Sequence, residues 1–469
     1  MVPSGKIPRV VIAATGSGVG KTTATVAIIG AMRARGLKVA SFKCGPDYLD
    51  PTYHERAAGV RSHNLDGWMM NRDAVAATFA RAAAGADIAV IEGMMGLFDS
   101  ATPTGDEGST AQIAKWLDAP VELVTDASGV ARTIAAVAAG FARFDPAVRV
   151  AGMICNRVGS RGHLDLLRAA QPEVPIVGGF PTSADLAFPE RHLGLLMADE
   201  SNVPQRLIDG WSGLAAEWLD LDAILQLARS APAIEIPTRP NIDVAAKPRC
   251  RIGVAYDDAF HFYYEDNLSR LRSLGAEIVN FSPIRDRKLP EVDGLYFGGG
   301  YPEAFAHELS ANETMLAAIR NFAARDRVIY AECGGLMYLT DGIRTLDGAR
   351  WPMAAIIPGV AVMSDRLQAL GYVEVETRAD SIIGLAHAHF RGHQFRYSTL
   401  EGVFVDSADR IDRIYSVAPR WGGAPFAEGY RVGNVLASYV HAHWASNPAI
   451  AEALVGSCAR SRSARQPAA

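Results

Sequence analysis

The chain has 469 residues and a net charge of −5, from 46 Lys and Arg against 51 Asp and Glu. Single cores stop growing near ~250–300 residues, so two or three domains are expected, and the mild acidity argues against a general nucleic-acid binder. No run approaches the ~18 apolar residues of a membrane helix, Met1–Arg9 lacks the apolar centre of a signal peptide, and five scattered cysteines without a CxxC pair fit a reduced chain. The expectation is a cytoplasmic protein with no nucleic-acid and no membrane partner.

Arg9–Ala14 reads as a buried strand. It runs into Thr15-Gly16-Ser17-Gly18-Val19-Gly20-Lys21-Thr22-Thr23 and then a helix to about Arg35, stopped by Gly36. The phosphate-loop pattern wants glycine where Thr15 stands, but Gly20-Lys21-Thr22 opening a helix after a strand is intact. Backbone N–H groups of a loop containing Gly18, Gly20 and Thr23 would cradle phosphates, Lys21 would neutralise them, and the Thr22 hydroxyl would reach Mg²⁺. A strand from Leu37 to Lys43 ends in Cys44-Gly45-Pro46-Asp47-Tyr48-Leu49-Asp50-Pro51, where the acids suit either Mg²⁺ and an acceptor or plain turn chemistry. Asp87–Glu92 is a further strand, and Glu92 at its carboxyl end is where open α/β sheets place ligands. Asp99 beyond it is an acceptor-side acid or a loop cap, and Ser109-Thr110 a helix cap or a substrate contact. Strands at Pro120–Thr125, Val150–Cys155 and Pro175–Gly178, separated by helical patterns such as Gly129–Ala142, imply a mostly parallel, doubly wound sheet. Asn156-Arg157 at a strand end could meet an adenine base or cap a loop.

Ala231–Arg249 carries four prolines and reads as a connector. An α/β pattern restarts at Arg251. Asp257–Asn267 is dense in aromatics, suited to stacking on a flat macrocycle or to a core. Gly298-Gly299-Gly300 follows a strand and lets backbone N–H groups approach a ligand. In Arg327–Tyr338, a short apolar strand turns sharply at Cys333 and enters a helix through Gly334-Gly335, the layout of a nucleophile elbow. A thiol so placed is expected to ionise more easily than usual, with a buried inert cysteine as the alternative. The N–H groups of Gly300 and Gly334 could form an oxyanion hole, each donor worth about 2.7–4 kcal/mol in the transition state. Arg391–Tyr397 is basic and aromatic, and Arg391 is a candidate for acidic substrate groups. A strand at Val435–Val440 delivers His441 and His443, either of which could serve Cys333 as base. The polar tail 457–469 is expected to be disordered.

The pieces Gly18-Val19-Gly20-Lys21-Thr22, Gly45–Pro51, Glu92-Gly93 with Asp99, Ala331-Glu332-Cys333-Gly334-Gly335 and Ser438-Tyr439-Val440-His441 occur in this order across almost the whole chain. Together they resemble the cobyrinate / hydrogenobyrinate a,c-diamide synthases of cobalamin biosynthesis. The resemblance implies an α/β protein. Residues 1–230 would form a doubly wound phosphate-loop synthetase domain like dethiobiotin synthetase. After the linker 231–249, residues 250–456 would form a class I glutamine amidotransferase domain. It implies ATP with Mg²⁺ at Lys21, Thr22, Asp47 and Glu92, and acceptor carboxylates near Tyr48, Leu49, Asp50 and Asp99. Its implied partners are ATP, L-glutamine and a corrin polycarboxylate, with metal-free hydrogenobyrinate favoured over cobyrinate and a homodimer left open. Cys333 with His441 would release ammonia from glutamine; ATP would activate the a and c acetate carboxylates as acyl phosphates, and ammonia would cross a sheltered interface to them. Other class I amidotransferases carry a carboxylate two residues after the catalytic histidine. Here that position is His443, as in the cobalamin subgroup, so what orients His441 is left open. The rival readings are a cobyric acid synthase and a partitioning-type nucleotide switch; the second usually carries a lysine near the position of Gly16.

Overall fold

The computed structural model describes residues 6–182, 190–191, 194–195, 203–235, 248–402 and 411–463. Contacts divide the chain into two compact units, Met1–Pro240 and Asn241–Ala469.

In the first unit seven strands form one parallel sheet: β1 (Arg9–Ala14), β2 (Val39–Cys44), β3 (His63–Leu65), β4 (Ile88–Glu92), β5 (Val121–Asp126), β6 (Val150–Val158) and β7 (Ile176–Pro181). Their spatial order is β3-β2-β4-β1-β5-β6-β7. Strands β1, β2 and β4 are buried along their whole length, which is why they read as unbroken apolar runs. Helix α1 (Lys21–Ala34) buries Ala24 to Met32 against this sheet and against Trp211 and Ile224. Because β1 lies between β4 and β5, the chain leaves it in one direction and returns in the other. The turns after β1, β2 and β4 therefore share one edge at the point where strand order reverses, the usual place for a ligand in such sheets.

In the second unit Ala276–Phe281, Cys250–Ala255, Gly294–Phe297, Val328–Glu332 and Val435–Ser438 lie side by side and parallel. The same sheet continues antiparallel through Phe426–Val432, Asp412–Pro419, Ala369–Thr377 and His389–Arg396 to the two-residue strand His441–Ala442. Val435–Ser438 and His441–Ala442 are close neighbours in sequence yet five places apart in the sheet. The antiparallel half must therefore curl until its ends meet, and this returns His441 to the edge where Cys333 stands. The single strand expected at Val435–Val440 is thus two short ones.

Two boundaries differ from expectation. Residues 231–235, expected as linker, begin packed on the first unit: Ala231 and Ile234 are buried, and Arg9 Nη2 donates to Pro232 O at 2.8 Å. The tail expected to be disordered from 457 instead starts inside the helix Ala449–Ser463, where Cys458 is buried and Ser457 Oγ donates to Ile382 O at 3.1 Å. Its small polar residues hid an inward face. Residues 464–469 lie outside the described ones.

Among the buried charged residues of the first unit, Glu122 is set apart by its lack of hydrogen-bond partners among the described residues. Glu122 on β5 is fully buried and pairs in register with Ile12 and Gly152. Its carboxylate lies where a side chain on Gly152 would stand, within 2.1 Å of that position, and neither oxygen has a hydrogen-bond partner among the described residues. Burial pushes the carboxyl up to about 8 from its ordinary 4.5, so it is held protonated. A group with a raised folded pKa contributes stability that is full below its unfolded value and is lost as pH rises through the folded one. The variant Glu122→Gln should therefore match the parent in Tm near about pH 5 and exceed it above about pH 8. Thermal unfolding at both pH values checks this, and an unchanged difference between them would refute it.

Candidate active sites

Gly20 caps α1 at φ 92°, and a side chain there would come 2.0 Å from Asn156 Nδ2, so glycine is required at this turn. Asn156 Nδ2 donates to Val19 O at 2.8 Å and Arg157 Nη2 to Gly18 O at 2.9 Å. The pair expected to meet a base or cap a loop braces the phosphate loop from outside. The loop delivers Lys21 and Thr22 to the carboxyl ends of β2 and β4. Lys21 Nζ donates to Met95 O at 2.9 Å, and Thr22 Oγ1 to Glu92 Oε1 at 2.7 Å. Thr23 follows on the first turn of α1.

Around Glu92 lies a buried charge cluster. Lys43 Nζ sits 2.9 Å from Glu92 Oε1, donates to Gly93 O at 3.1 Å, and pairs tightly with Asp50. His54 Nε2 meets the other Glu92 oxygen at 2.6 Å. Burial alone would raise the Glu92 pKa, but Lys43 and the hydrogen bond from His54 outweigh it and hold the carboxylate well below its usual range. Asp50 is pushed the other way, by burial and by Asp47 and Glu92. Burial, with Lys43 nearby, lowers Lys21. Asp47 Oδ1 accepts from the N–H groups of Leu49 and Asp50, at 2.7 and 2.9 Å, which is the turn chemistry foreseen. Asp99 Oδ2 accepts from Gly96 N at 2.7 Å, a loop cap. Tyr48 is largely buried, and Leu49 caps α2 (Asp50–Ala58). Thr110 Oγ1 accepts from Met94 N at 2.9 Å and holds the turn after β4.

The donors at Thr22 and Glu92 are hard oxygens, and the carboxylate is ionised, which suits Mg²⁺. Among the described residues no cluster of three His, Cys, Asp or Glu could hold a metal by itself. That is the usual pattern for Mg²⁺ held by one or two protein oxygens and a nucleotide's phosphates.

In the second unit Val328–Glu332 is buried throughout and ends at Cys333, whose φ of 48° and ψ of −104° are strained for a residue with a side chain. The strain turns the chain directly into the helix Gly334–Leu339 and aims the thiol out of the sheet. Cys333 N donates to Ser438 O at 2.7 Å, the Gly334 N–H points at the sulfur, and the sulfur faces Phe395 O at 4.0 Å. A side chain on Gly334 would come 3.1 Å from Gly300 N, so the two candidate oxyanion donors adjoin. A side chain on Gly299 would come 2.3 Å from His441 Cε1, so the imidazole flanks the same glycine turn. The structure thus brings Cys333, Gly300, Gly334 and His441 together. The aromatics at 260–264 wall this site: Phe260, His261, Phe262 and Tyr264 are buried, and Phe262 and Tyr301 meet edge to face. They are not free to stack on a macrocycle.

Residues 10–195 match the family described as the CobQ/CobB/MinD/ParA nucleotide binding domain, and residues 251–449 the CobB/CobQ-like glutamine amidotransferase domain. A cobyrinate a,c-diamide synthase of Leptospira interrogans serogroup Icterohaemorrhagiae serovar copenhageni is 52% identical over 97% of this chain and 99% of its own. Proteins of the same name from Syntrophotalea carbinolica and Priestia megaterium are 46% and 39% identical, over 96% and 98% of this chain and 98% and 99% of theirs. The chain belongs to the cobyrinate a,c-diamide synthase family. It joins a nucleotide-binding domain to a glutamine amidotransferase domain.

In this member of the family the position two residues after His441 is His443. Its Nδ1 accepts from Ala445 N at 3.3 Å and its ring packs on Tyr264 at 4.7 Å. Arg391 is paired across the strands with Glu374, Nε to Oε1 at 3.0 Å. Lys43, His54, Glu332, Glu428 and His393 were not singled out from sequence. Lys43 and Glu332 carried the signal that marked Glu92, a charge ending an apolar strand; His54, Glu428 and His393 carried none.

The easily ionised thiol expected at the elbow is not found. Burial, with Glu303 adding repulsion, pushes Cys333 up to about 12, while burial lowers His441 to about 3. The resting pair is a neutral thiol beside a neutral imidazole. Alkylation of Cys333 by iodoacetamide should therefore keep accelerating past about pH 9, and a plateau below about pH 7 would show a preformed thiolate instead.

Proposed function

We propose that the chain is a glutamine-hydrolysing, ATP-dependent ligase that amidates the a and c acetate carboxylates of a corrin, and that the residues above divide this work between the two units. The observation that carries the proposal is that the elbow at Cys333 and the imidazole of His441 both flank the Gly298–Gly300 turn in one unit, while the other holds Thr22 against Glu92 and Lys21 on Met95 O. The relatives are named for cobyrinate, so cobyrinate, rather than the hydrogenobyrinate favoured from sequence, is the acceptor proposed.

At the elbow, His441 takes the thiol proton as Cys333 Sγ attacks the side-chain amide carbon of glutamine. The Gly300 and Gly334 N–H groups receive the oxyanion. Ammonia leaves with the proton from His441, and water opens the thioester to glutamate. An imidazole that is neutral at pH 7 is in the form this base role needs.

In the other unit a carboxylate must be activated, because ammonia does not displace oxide from it. The phosphate loop with Gly18, Gly20 and Thr23 holds the triphosphate, and Lys21 offsets charge on the γ-phosphoryl group as it passes to the acceptor carboxylate. Thr22, Glu92 and Asp47 would hold Mg²⁺, which supplies further charge neutralisation there. Tyr48, Leu49, Asp50 and Asp99 face the acceptor. Ammonia attacks the acyl phosphate, and phosphate leaves as the amide forms.

The two halves are separable by nitrogen source. Cys333→Ala should abolish amidation from glutamine and retain it from ammonium salts, whereas Lys21→Ala should lose both by roughly 10²-fold or more. Product mass spectrometry with each nitrogen source decides it. Failure of ammonia to rescue Cys333→Ala would end the division of labour.

A further inference from the structure

Of the groups packed around Glu92, His54 is the one that neither the phosphate loop nor the acceptor-side acids account for. We propose that His54 is a positioning residue: by holding one oxygen of Glu92 it fixes the other against the Thr22 hydroxyl, so that the lone pairs of that hydroxyl are turned toward Mg²⁺ when it binds with the nucleotide. This rests on the reading of Thr22 and Glu92 as metal-side oxygens given above.

The two oxygens of Glu92 are divided between partners. Oε2 meets His54 Nε2 at 2.6 Å, and facing a carboxylate that nitrogen is the donor. Oε1 accepts from Thr22 Oγ1 at 2.7 Å and lies 2.9 Å from Lys43 Nζ. The imidazole is wholly buried and is braced from behind: Nδ1 lies 3.4 Å from Ser62 Oγ, which donates to Ser41 O on β2 at 3.2 Å. Asp50 and His54 stand four residues apart on α2 and so share one face of it, which is why one helix sends Asp50 to Lys43 and His54 to Glu92. Lys43 cannot do the orienting alone. Its three N–H donors meet Asp50, Glu92 Oε1 and Gly93 O, and it never touches Oε2. The last torsion of a glutamate is broad and nearly two-fold, so a carboxylate held by Lys43 alone could present either oxygen. With His54 on Oε2, turning the carboxylate breaks a second hydrogen bond, and Oε1 stays on Thr22. A hydroxyl has one proton and two lone pairs. Because Thr22 gives its proton to Glu92, its lone pairs point away from Glu92, as a hard cation requires of an oxygen ligand.

Calorimetric titration of the full-length protein with an ATP analogue carrying a non-hydrolysable imido β–γ bridge, in Mg²⁺ and again in EDTA, reads this directly. His54→Ala should weaken binding in Mg²⁺ by about 10-fold and leave binding in EDTA nearly unchanged, since losing the partner of a metal ligand has that order of effect on metal affinity. His54→Gln, whose amide nitrogen reaches where Nε2 stands, should keep most of the Mg²⁺ advantage. His54→Asn, one methylene shorter, should lose it as His54→Ala does. The glutamine and asparagine variants decide the matter should the alanine variant fail to fold. The inference falls if His54→Ala keeps the Mg²⁺ advantage, if it weakens binding equally in Mg²⁺ and EDTA, which is the mark of a packing loss, or if His54→Gln loses as much as His54→Asn. Thr22→Ala is run alongside. If it keeps the Mg²⁺ advantage, the reading of Thr22 as a metal contact itself fails; if it loses the advantage while His54→Ala retains it, only the positioning role is wrong. Adding His54→Ala to Thr22→Ala should cost nothing further, and additive losses would overturn a path that runs through Thr22.

Discussion

Glu92 can stay ionised in a dry interior because Lys43 and His54 are fixed against its two oxygens. An isolated carboxylate there would take up a proton, as Glu122 does on the other side of β1, where it pairs in register with the same Ile12. The contrast between these two glutamates organises the first unit. Both stand on buried parallel strands, but only one is met by hydrogen-bonding partners, Lys43 and His54, which arrive because β2 and α2 flank β4 at the ligand edge. Asp50 shares Lys43 and so competes for the same compensation. The cluster is consequently a balance of fixed charges beside the phosphate loop, with Thr22 Oγ1 hydrogen-bonded to Glu92.

The second unit solves the opposite problem. Its two buried glutamates near the nucleophile are met by neutral donors: tyrosine hydroxyls, a serine hydroxyl and backbone N–H groups. Burial accordingly leaves Glu332 raised to about 7, and raises Glu428 also. Such groups are suited to holding chain segments rather than to neutralising charge. Cys333 and His441 follow the same rule, since burial drives each toward its neutral form.

Much of this was legible in the chain because the decisive signals were local. Buried parallel strands are continuous apolar runs, and β1, β2 and β4 announced themselves in that way. The phosphate loop and the elbow depend on glycines whose spacing is local too. The constellation around His441 was only half readable. The strand-end position offered His441 and His443 alike as base for Cys333, and the resemblance chose His441; its return to that edge depends on a sheet that curls until strands close in sequence, but five places apart in order, face one another. No periodicity encodes that closure. The tail misled for a related reason: Ser457, Cys458 and their neighbours are small and polar, and only the packing partner, Ile382, shows that they belong to a helix with an inner face. The thiol misled through electrostatics. A helix N-terminus does favour a thiolate, but Gly334 supplies one N–H against full burial and the nearby Glu303, and the desolvation cost is the larger effect.

A neutral thiol and a neutral imidazole constrain when the sulfur can react. A preformed thiolate is reactive toward any electrophile that reaches it. A neutral thiol becomes a nucleophile only while a correctly seated base removes its proton, so the proposed mechanism requires glutamine to be bound with its amide between the sulfur and the Gly300 and Gly334 N–H groups before attack can begin. Placement of His441 then governs the rate more than its basicity does, because an imidazole whose pKa burial has lowered is a weak base and gains its effect from proximity.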